Sequence, residues 1–414
     1  MPRPRRRLGP LARREFRLLF LARGISFFGS AIAPVAIAFA VLDLTGSASD
    51  LGLVLAARMV PQLVFMLVGG VWADRLPRNL VMVASDVLTG SAQAVTALLL
   101  LTGNAELWHL IVLQAIGGTA FAFFFPASTG LVPQTVELPL LQQANALLRM
   151  ALNVASIGGA ALGGVLVAAV GAGWAIAIDS GTFFASAVFL ALMRVTRGER
   201  LGAPNFLAEL HEGWREFVSR TWLWVIVVAF GFINAAQAGA VNVLGPVVAK
   251  EELGGATAYG AIFALEGVGL MLGAVLALRF RPERPLFVGC AVILGIPPVL
   301  ILLALGAPLP VILLAALIMG VGIEVFGIFW DTSLQQNVPE QALSRVSSYD
   351  ALGSFIFIPL GQLAAGPISD AIGVDETLYL AAGIVTTGVL AMLATPSIRH
   401  LKRVEAVPSP AGAS

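Results

Sequence analysis

The sequence predicts an all-α membrane protein of about twelve transmembrane helices in two pseudo-symmetric six-helix bundles. Three observations lead there. Hydrophobic residues make up 58% of the 414 and charged residues only 12%, about half the charge of a soluble domain, and the mean hydropathy is +0.90. The apolar residues fall into stretches of about 20, the length that crosses roughly 30 Å of hydrocarbon. A weak repeat relates the two halves: PASTGLVP follows the fourth stretch and DTSLQQNVP the tenth, while Gly164 and Gly171 are spaced as Gly366 and Gly373 are, at the ends of the fifth and eleventh. Such internal duplication is what a protein built from two related bundles retains.

Taken in order, the stretches lie near 17–42, 51–73, 79–101, 107–130, 149–171 and 173–193, then 223–247, 257–279, 285–305, 308–330, 349–370 and 374–396. This divides the chain into a basic N-terminus (1–16), a first bundle (17–193), a linker (194–222), a second bundle (223–396) and a tail (397–414). The basic start followed by an apolar run has the outline of a signal peptide, but the run continues to Leu42 and is long enough to span. In the linker, Phe206, Leu207, Leu210, Trp214, Phe217 and Val218 recur at helical spacing opposite Glu209, Glu212, Arg215, Glu216 and Arg220. That pattern predicts an amphipathic helix lying in the membrane interface.

Net charge is +1, but its distribution is uneven. With the N-terminus inside, one side receives Arg3, Arg5, Arg6, Arg7, Arg13, Arg14, Arg75, Arg78, the arginines of the linker, Arg279, Arg281, Arg284, Arg345, Arg399, Lys402 and Arg403; the other receives only Lys250. Both termini are therefore expected in the cytoplasm. Beside a span, the N-terminal arginine run reads as topogenic and lipid-facing, so no nucleic-acid partner is expected. One cysteine, Cys290, excludes an internal disulfide, and His109, His211 and His400 are scattered, which leaves no metal-ligand spacing. No phosphate loop of the G-x-x-x-x-G-K-[ST] type occurs, and no nucleophile, base and orienting group converge at a recognisable spacing. No cofactor and no enzymatic activity are expected.

The most informative polar stretch lies between the second and third spans: Gly70-Val-Trp-Ala-Asp74-Arg75-Leu-Pro77-Arg78. Gly70, Asp74, Arg75 and Arg78 match G-x-x-x-D-R-x-G-R, with Pro77 in place of the second glycine, and by this motif and its position the chain resembles the major facilitator superfamily over nearly its whole length. Finer features, LTGSAS at 44–49 and SLQQNVPEQALSRVSSYDALGS at 333–354, are similar to the branch of enterobactin-type and macrolide-type exporters. The resemblance implies the major facilitator fold, a bacterial inner-membrane location, a monomer, and a gating role for Gly70, Asp74, Arg75 and Arg78. Physically, Asp74 at a helix end can accept hydrogen bonds from a neighbouring helix N-terminus, and Arg75 and Arg78 can pair with carboxylates or lipid headgroups. The bland reading of the three charges is that they only fix topology. The corresponding place in the second half carries Arg279, Arg281 and Arg284 but has Ala277 where the acid would stand, which leaves Asp331 as a candidate partner for Arg279. Two further family patterns are partial. The fourth-helix R-x-x-Q-G aligns on Ile111 to Ala115 and lacks its arginine, and the fifth-helix G-P-x-x-G-G reads Gly159-Ala160-Ala-Leu-Gly163-Gly164.

Ionisable groups inside hydrocarbon are costly and face a cavity or a partner. Those in the spans are Arg23, Arg58, Asp86, Asp179, Glu266 and Glu324. Glu266, about nine residues and hence about 14 Å into its span, is the leading proton-carrier candidate, against the equal alternative of a hydrogen-bonded acid lining water. Arg23 and Glu324 share one depth and Arg58 and Asp179 another, which makes two ion pairs possible, each equally structural or coupling, though depth does not establish contact. Asp86 reads as structural or as part of the gate. Gln62, Asn234, Gln237 and Asn242 are candidate cavity residues, with Asn234 and Gln237 on one helix face; Phe121, Phe123, Phe124 and Phe125 favour packing over substrate stacking. The expected function, by resemblance, is proton-coupled export of a small hydrophobic compound such as a drug, macrolide or siderophore, by alternating access, with lipid as the surrounding partner. The competing readings are a uniporter or symporter for a polar nutrient, which the scarcity of polar cavity groups disfavours, and a non-transporting receptor or scaffold.

Overall fold

A computed structural model describes residues 9–194, 214–280 and 282–402, with the side chains of 67–75, 138, 142, 278, 340–345 and 348 outside that description. Twelve helices among the described residues are long and apolar enough to cross a membrane. In the first half these are α1 (Arg14–Thr45), α2 (Ala48–Arg75), α3 (Arg78–Leu101), α4 (Leu107–Leu131), α5 (Leu141–Val170) and α6 (Ala172–Ala191). In the second they are α7 (Thr221–Glu251), α8 (Ala256–Arg279), α9 (Pro285–Ala304), α10 (Leu309–Asn337), α11 (Tyr349–Ile372) and α12 (Val374–Ala394).

Several helices outrun the apolar stretches that announce them, because hydropathy marks the hydrocarbon whereas hydrogen bonding and caps set the helix end. Thus α5 begins eight residues before the expected 149, α10 continues to Asn337, and a helix starting at Glu340 behind Pro339 leads into α11. Three spans are interrupted. A π-helical turn over Ala238–Leu244 sits inside α7, a 3-10 turn over Ile293–Gly295 precedes Pro297 and Pro298 in α9, and α11 breaks between Phe355 and Ile358, just ahead of Pro359. In the last two cases the proline lacks the N–H that would continue the ladder and so opens a new helical segment instead.

Within the first bundle α2 packs on α4, α3 on α4 and α6, and α1 on α5 and α6; within the second, α8 packs on α10, α9 on α12, and α7 on α11 and α12. An even number of spans returns both described chain ends to one side, here termed the terminal side. The apolar cores reflect the division. One is drawn from the second bundle around Leu223, Ile293, Val299 and Val385. A second sits on the terminal side of the first bundle around Phe16, Met82, Leu131 and Leu190. A third, on the far side around Ile32, Val41, Leu51 and Ile176, also takes in Ala256 and Tyr259 of α8, so here the bundles share a core.

That junction is built twice, in the pattern of the sequence repeat. Gly164 of α5 faces the start of α8, where an added Cβ would lie 2.6 Å from the Ala256 carbonyl oxygen; Gly366 of α11 meets Ser49 at the start of α2 in the same way. Reciprocally, Gly260 of α8 closes on the Ala160 carbonyl and Gly52 of α2 on the Gln362 carbonyl. With no Cβ in the way, two backbones approach to van der Waals contact, which is how helices associate where lipid removes the hydrophobic drive. Gly171 and Gly373, each about two turns beyond, turn the chain into α6 and α12 with φ of 85° and 101°, a left-handed region that favours glycine. Polar ties reinforce the junction: Lys250 Nζ donates to Asp43 Oδ1 at 2.5 Å and to the Leu42 carbonyl at 3.0 Å, and Ser49 Oγ donates to Asp370 Oδ2 at 3.0 Å. At the terminal side the recorded ties stay within one bundle: Arg13 with Glu137 and Arg14 with the Leu192 carbonyl in the first, Arg220 with Glu216 and the Asn337 carbonyl in the second.

Gly164→Val therefore forces the bundles apart on the far side, an overpacking cost of about 1–3 kcal/mol. In a Cys290→Ala background, cysteines at 49 and 370 should cross-link readily, and Gly164→Val should sharply reduce that yield; an unchanged yield would show that the seam does not depend on the glycine.

Candidate functional site

Alternation between two bundles needs groups that change environment as the seam between them moves. On α8, Tyr259, Phe263 and Glu266 lie on one face by helical spacing. The Tyr259 hydroxyl donates to the Val241 carbonyl in the π-helical turn of α7 at 3.2 Å, and its ring packs 6.2 Å from that of Phe39 in α1. The face is thus turned toward α1 and α7, between the bundles. Glu266 is half-buried there and has no hydrogen-bond partner among the described residues. Its backbone is fixed by close contact of its carbonyl with Gly320 of α10, while the next residue, Gly267, packs under Ile157 of α5. A rigid helix thus holds a carboxyl group with no competing bond at mid-depth.

The first bundle handles its charges differently. Arg58 of α2 donates from Nη1 to Gln114 Oε1 of α4 at 3.2 Å and lies within the field of Asp179 of α6. Asp179, 0% exposed, accepts from Gln93 Nε2 of α3 at 2.8 Å through Oδ2. The depth-matched Arg58 and Asp179 therefore lie within each other's field but close no ion pair among the described residues; each is bonded instead to a glutamine of a further helix, Arg58 to Gln114 and Asp179 to Gln93. Room for the arginine comes from Gly117 and Gly118, the latter touching the Arg58 carbonyl. The position beside Gln114 for which α4 has no arginine is served from α2.

The other depth match fails. Among the described residues no ion pair joins Arg23 to Glu324: Arg23 lies 5.4 Å from the centre of the Phe27 ring, with its Nε unpartnered. Glu324 and Asp331 of α10 instead share the field of Arg149 on α5, a residue of the opposite bundle, without closing to an ion pair. Arg279 is exposed at the end of α8 and forms no ion pair with Asp331 among the described residues. Asp350, close to Asp331, accepts from Trp330 Nε1 at 2.9 Å and from Ser354 Oγ at 3.3 Å. Neither Arg149 nor Asp350 stands out in the sequence, since each sits at the very edge of its apolar stretch, the first residue of 149–171 and the second of 349–370.

Of the loop motif, Gly70, Asp74 and Arg75 lie in α2 with side chains outside the described residues, as do the linker positions Phe206, Leu207 and Leu210. Arg78 donates from Nη1 to the Gly130 carbonyl at the end of α4, so it ties α3 to α4 within the first bundle. Among the polar cavity candidates, Asn234 Nδ2 donates to the Ser354 carbonyl at 2.9 Å and Gln237 Nε2 reaches Met319 Sδ at 4.0 Å. Both serve packing inside the second bundle. Gln62 and Asn242 are half-buried, Asn242 within the π-helical turn. Of the phenylalanines, Phe124 is buried, Phe125 is exposed and Phe121 stacks on both, while Phe121 and Phe124 also line a cavity within the first bundle. Gln93 was legible only as part of a polar stripe on α3, with Asp86, Thr89 and Thr96 at helical spacing and all buried.

Removing either charge of Arg58 and Asp179 leaves the other buried and uncompensated, a loss of about 3–5 kcal/mol. Arg58→Gln should lower the thermal midpoint of the purified protein accordingly, and Arg58→Gln with Asp179→Asn should recover most of it. Equal midpoints for the single and double variants would dissociate the two residues.

Comparison with known proteins agrees with this architecture. The family model described as transmembrane secretion effector matches residues 6–411. The multidrug efflux pump Tap of Mycolicibacterium fortuitum is 29% identical over 398 residues, covering 90% of this chain and 93% of that protein. The macrolide efflux protein A of Streptococcus pyogenes is 21% identical over 403 residues, covering 94% and 97%. Among solved structures, a bacterial homolog of the human lysosomal transporter Spinster, in an inward-facing and unoccupied conformation, superposes with a TM-score of 0.74 at 16% identity, over 93% of this chain and 96% of that one. The nucleoside transporter NupG does so with 0.74 at 12% identity, over 94% and 99%. The chain is a multi-pass membrane transporter with the major facilitator fold and belongs to the transmembrane secretion effector family of that superfamily.

Proposed function

We propose that this transporter exports small, largely hydrophobic compounds, drugs or macrolides among them, in exchange for protons. The observation that carries the reading is Glu266: a carboxyl at mid-depth between the bundles, on a backbone packed closely against α10, and without a competing hydrogen bond among the described residues. A group so placed can take up a proton from one side and release it to the other as access alternates. Export and substrate class draw support from the efflux pumps that the chain is similar to. Both termini are assigned to the cytoplasm on the arginine distribution, which makes the far-side seam the periplasmic closure and the present arrangement one that faces inward. The gating motif at Gly70, Asp74, Arg75 and Arg78, with Asp331 and Arg279 in the second half, would act at the cytoplasmic ends, where Arg149 stands opposite Glu324 and Asp331 and can close on them when the inner side shuts. The scarcity of polar groups left free for a ligand, with Asn234 and Gln237 engaged in packing, disfavours a polar nutrient.

Two experiments test this. A host lacking and then regaining the gene should accumulate less of at least one hydrophobic drug or macrolide when the transporter is present; unchanged accumulation of every compound tried would sink the export reading. In proteoliposomes, Glu266→Gln should lose the pH dependence of transport while still inserting and folding, and a variant with wild-type pH dependence would remove Glu266 from coupling.

A further inference from the structure

Asp86 of the first bundle belongs neither to the seam nor to the contacts of Arg58 and Asp179. Asp86 is 1% exposed, eight residues into α3 and hence about 12 Å from its terminal-side end. It approaches Ser186 of α6, and its Oδ2 has no hydrogen-bond partner among the described residues. It borders a cavity among α1, α2, α3, α4 and α6, in which Ser26, Ser30, Arg58, Ser85 and Thr89 are the other polar lining groups. Four hydroxyls and a carboxyl share the wall of this space with Phe27, Phe121, Phe124 and Phe183, which makes it a mainly apolar cavity with a polar side, large enough for water.

We propose that Asp86 is a second proton-exchange site of the transporter, taking up one proton from water in this cavity and returning it there. The reasoning is electrostatic. An ionised carboxylate with a free oxygen in such surroundings needs a counter-ion or several donors. Among the described residues, the charged groups facing it from the elements around it do not supply one. Arg58 of α2 is turned to Gln114 and to Asp179, which is held by Gln93; Arg23 of α1 sits against Phe27; and the ionisable residue of α4, His109, lies in its first turn at the opposite end. A metal cation in the cavity would confront the Arg58 guanidinium. A proton would not, because it forms a covalent O–H bond with the carboxylate and the resulting acid is neutral, able to donate to a cavity hydroxyl or water while its carbonyl oxygen accepts. The site therefore fits a proton and disfavours an alkali cation. It is also continuous with the buried stripe Asp86, Thr89, Gln93 and Thr96, so a change of charge at Asp86 is set next to the contact of Gln93 with Asp179 that ties α3 to α6. Only the consequence for transport rests on the proton-coupled reading of Glu266; the exchange at Asp86 stands apart from it.

Infrared difference spectra of the full-length protein in liposomes, taken across pH, read this directly. The protonated-carboxyl region should contain a band that is present at low pH, disappears as pH rises, and shifts on exchange into heavy water. That band should vanish in Asp86→Asn, persist in Glu266→Gln and return at a displaced frequency in Asp86→Glu. A spectrum unchanged by Asp86→Asn overturns the proposal, as does a band insensitive to both pH and heavy water, which would mark a sealed structural acid. Replacement of the pH response by a sodium or potassium response would overturn it in favour of a metal cation. In the same liposomes, Asp86→Asn should lose accumulation driven by a pH gradient down to passive leak, yet keep substrate counterflow. Full gradient-driven accumulation in that variant would likewise overturn the site. If wild-type transport ignores the pH gradient altogether, the coupling reading fails, whereas the infrared titration still decides Asp86.

Discussion

The structure depends on the close approach of backbones at two glycine seams. In lipid, helices gain little from burying leucine against leucine, since the acyl chains are as apolar as the core. What favours contact between the bundles is the dense van der Waals packing that Gly164 against the start of α8, Gly366 against the start of α2, and the reciprocal Gly260 and Gly52 permit. Because this contact is confined to one side, the two bundles have a place about which to rock. Lys250 with Asp43 and Ser49 with Asp370 add exposed polar ties that are individually weak. A closure made of shallow packing and weak ties can open at modest cost, as a two-state carrier requires.

The two bundles treat intramembrane charge in opposite ways. In the first, Arg58 ties α2 to α4 through Gln114 and Asp179 ties α6 to α3 through Gln93, each charge within the field of the other, so the buried charges stay inside that body. In the second, Glu266 stands without a partner among the described residues on the face turned to the first bundle, and Glu324 and Asp331 look across toward Arg149 without reaching it. Charges that are satisfied inside one body move with it. Charges whose partners belong to the other body report, and can bias, the relative position of the two.

What the sequence made legible follows the same division. Composition and periodicity identified the spans, and the matched spacing of Gly164 and Gly171 with Gly366 and Gly373 marked both the seams and the turns behind them, because a repeated contact leaves a repeated requirement for glycine. Depth along a helix was enough to match Arg58 with Asp179, whose helices belong to the same bundle. It could not match Arg23 with Glu324, because depth says nothing of which helices are neighbours or which way a face is rotated. Asn234 and Gln237 share a face as expected, but that face serves α10 and α11, and the π-helical turn that follows them alters the register of α7 in a way that no local pattern announces. Gln93 became meaningful only once α6 brought Asp179 against it.

The central claim is that the bundles exchange closure at one side for closure at the other about these seams. Pulsed electron paramagnetic resonance on paired spin labels measures this most directly. One pair, at Asn145 of α5 and Gln335 of α10, spans the terminal side; the other, at Thr45 and Glu252, spans the far side, all four positions being exposed. The account predicts that adding a transported drug, or changing pH, shifts the two distance distributions in opposite directions, one pair closing as the other opens. Two distributions that stay fixed, or that widen and narrow together, would contradict it.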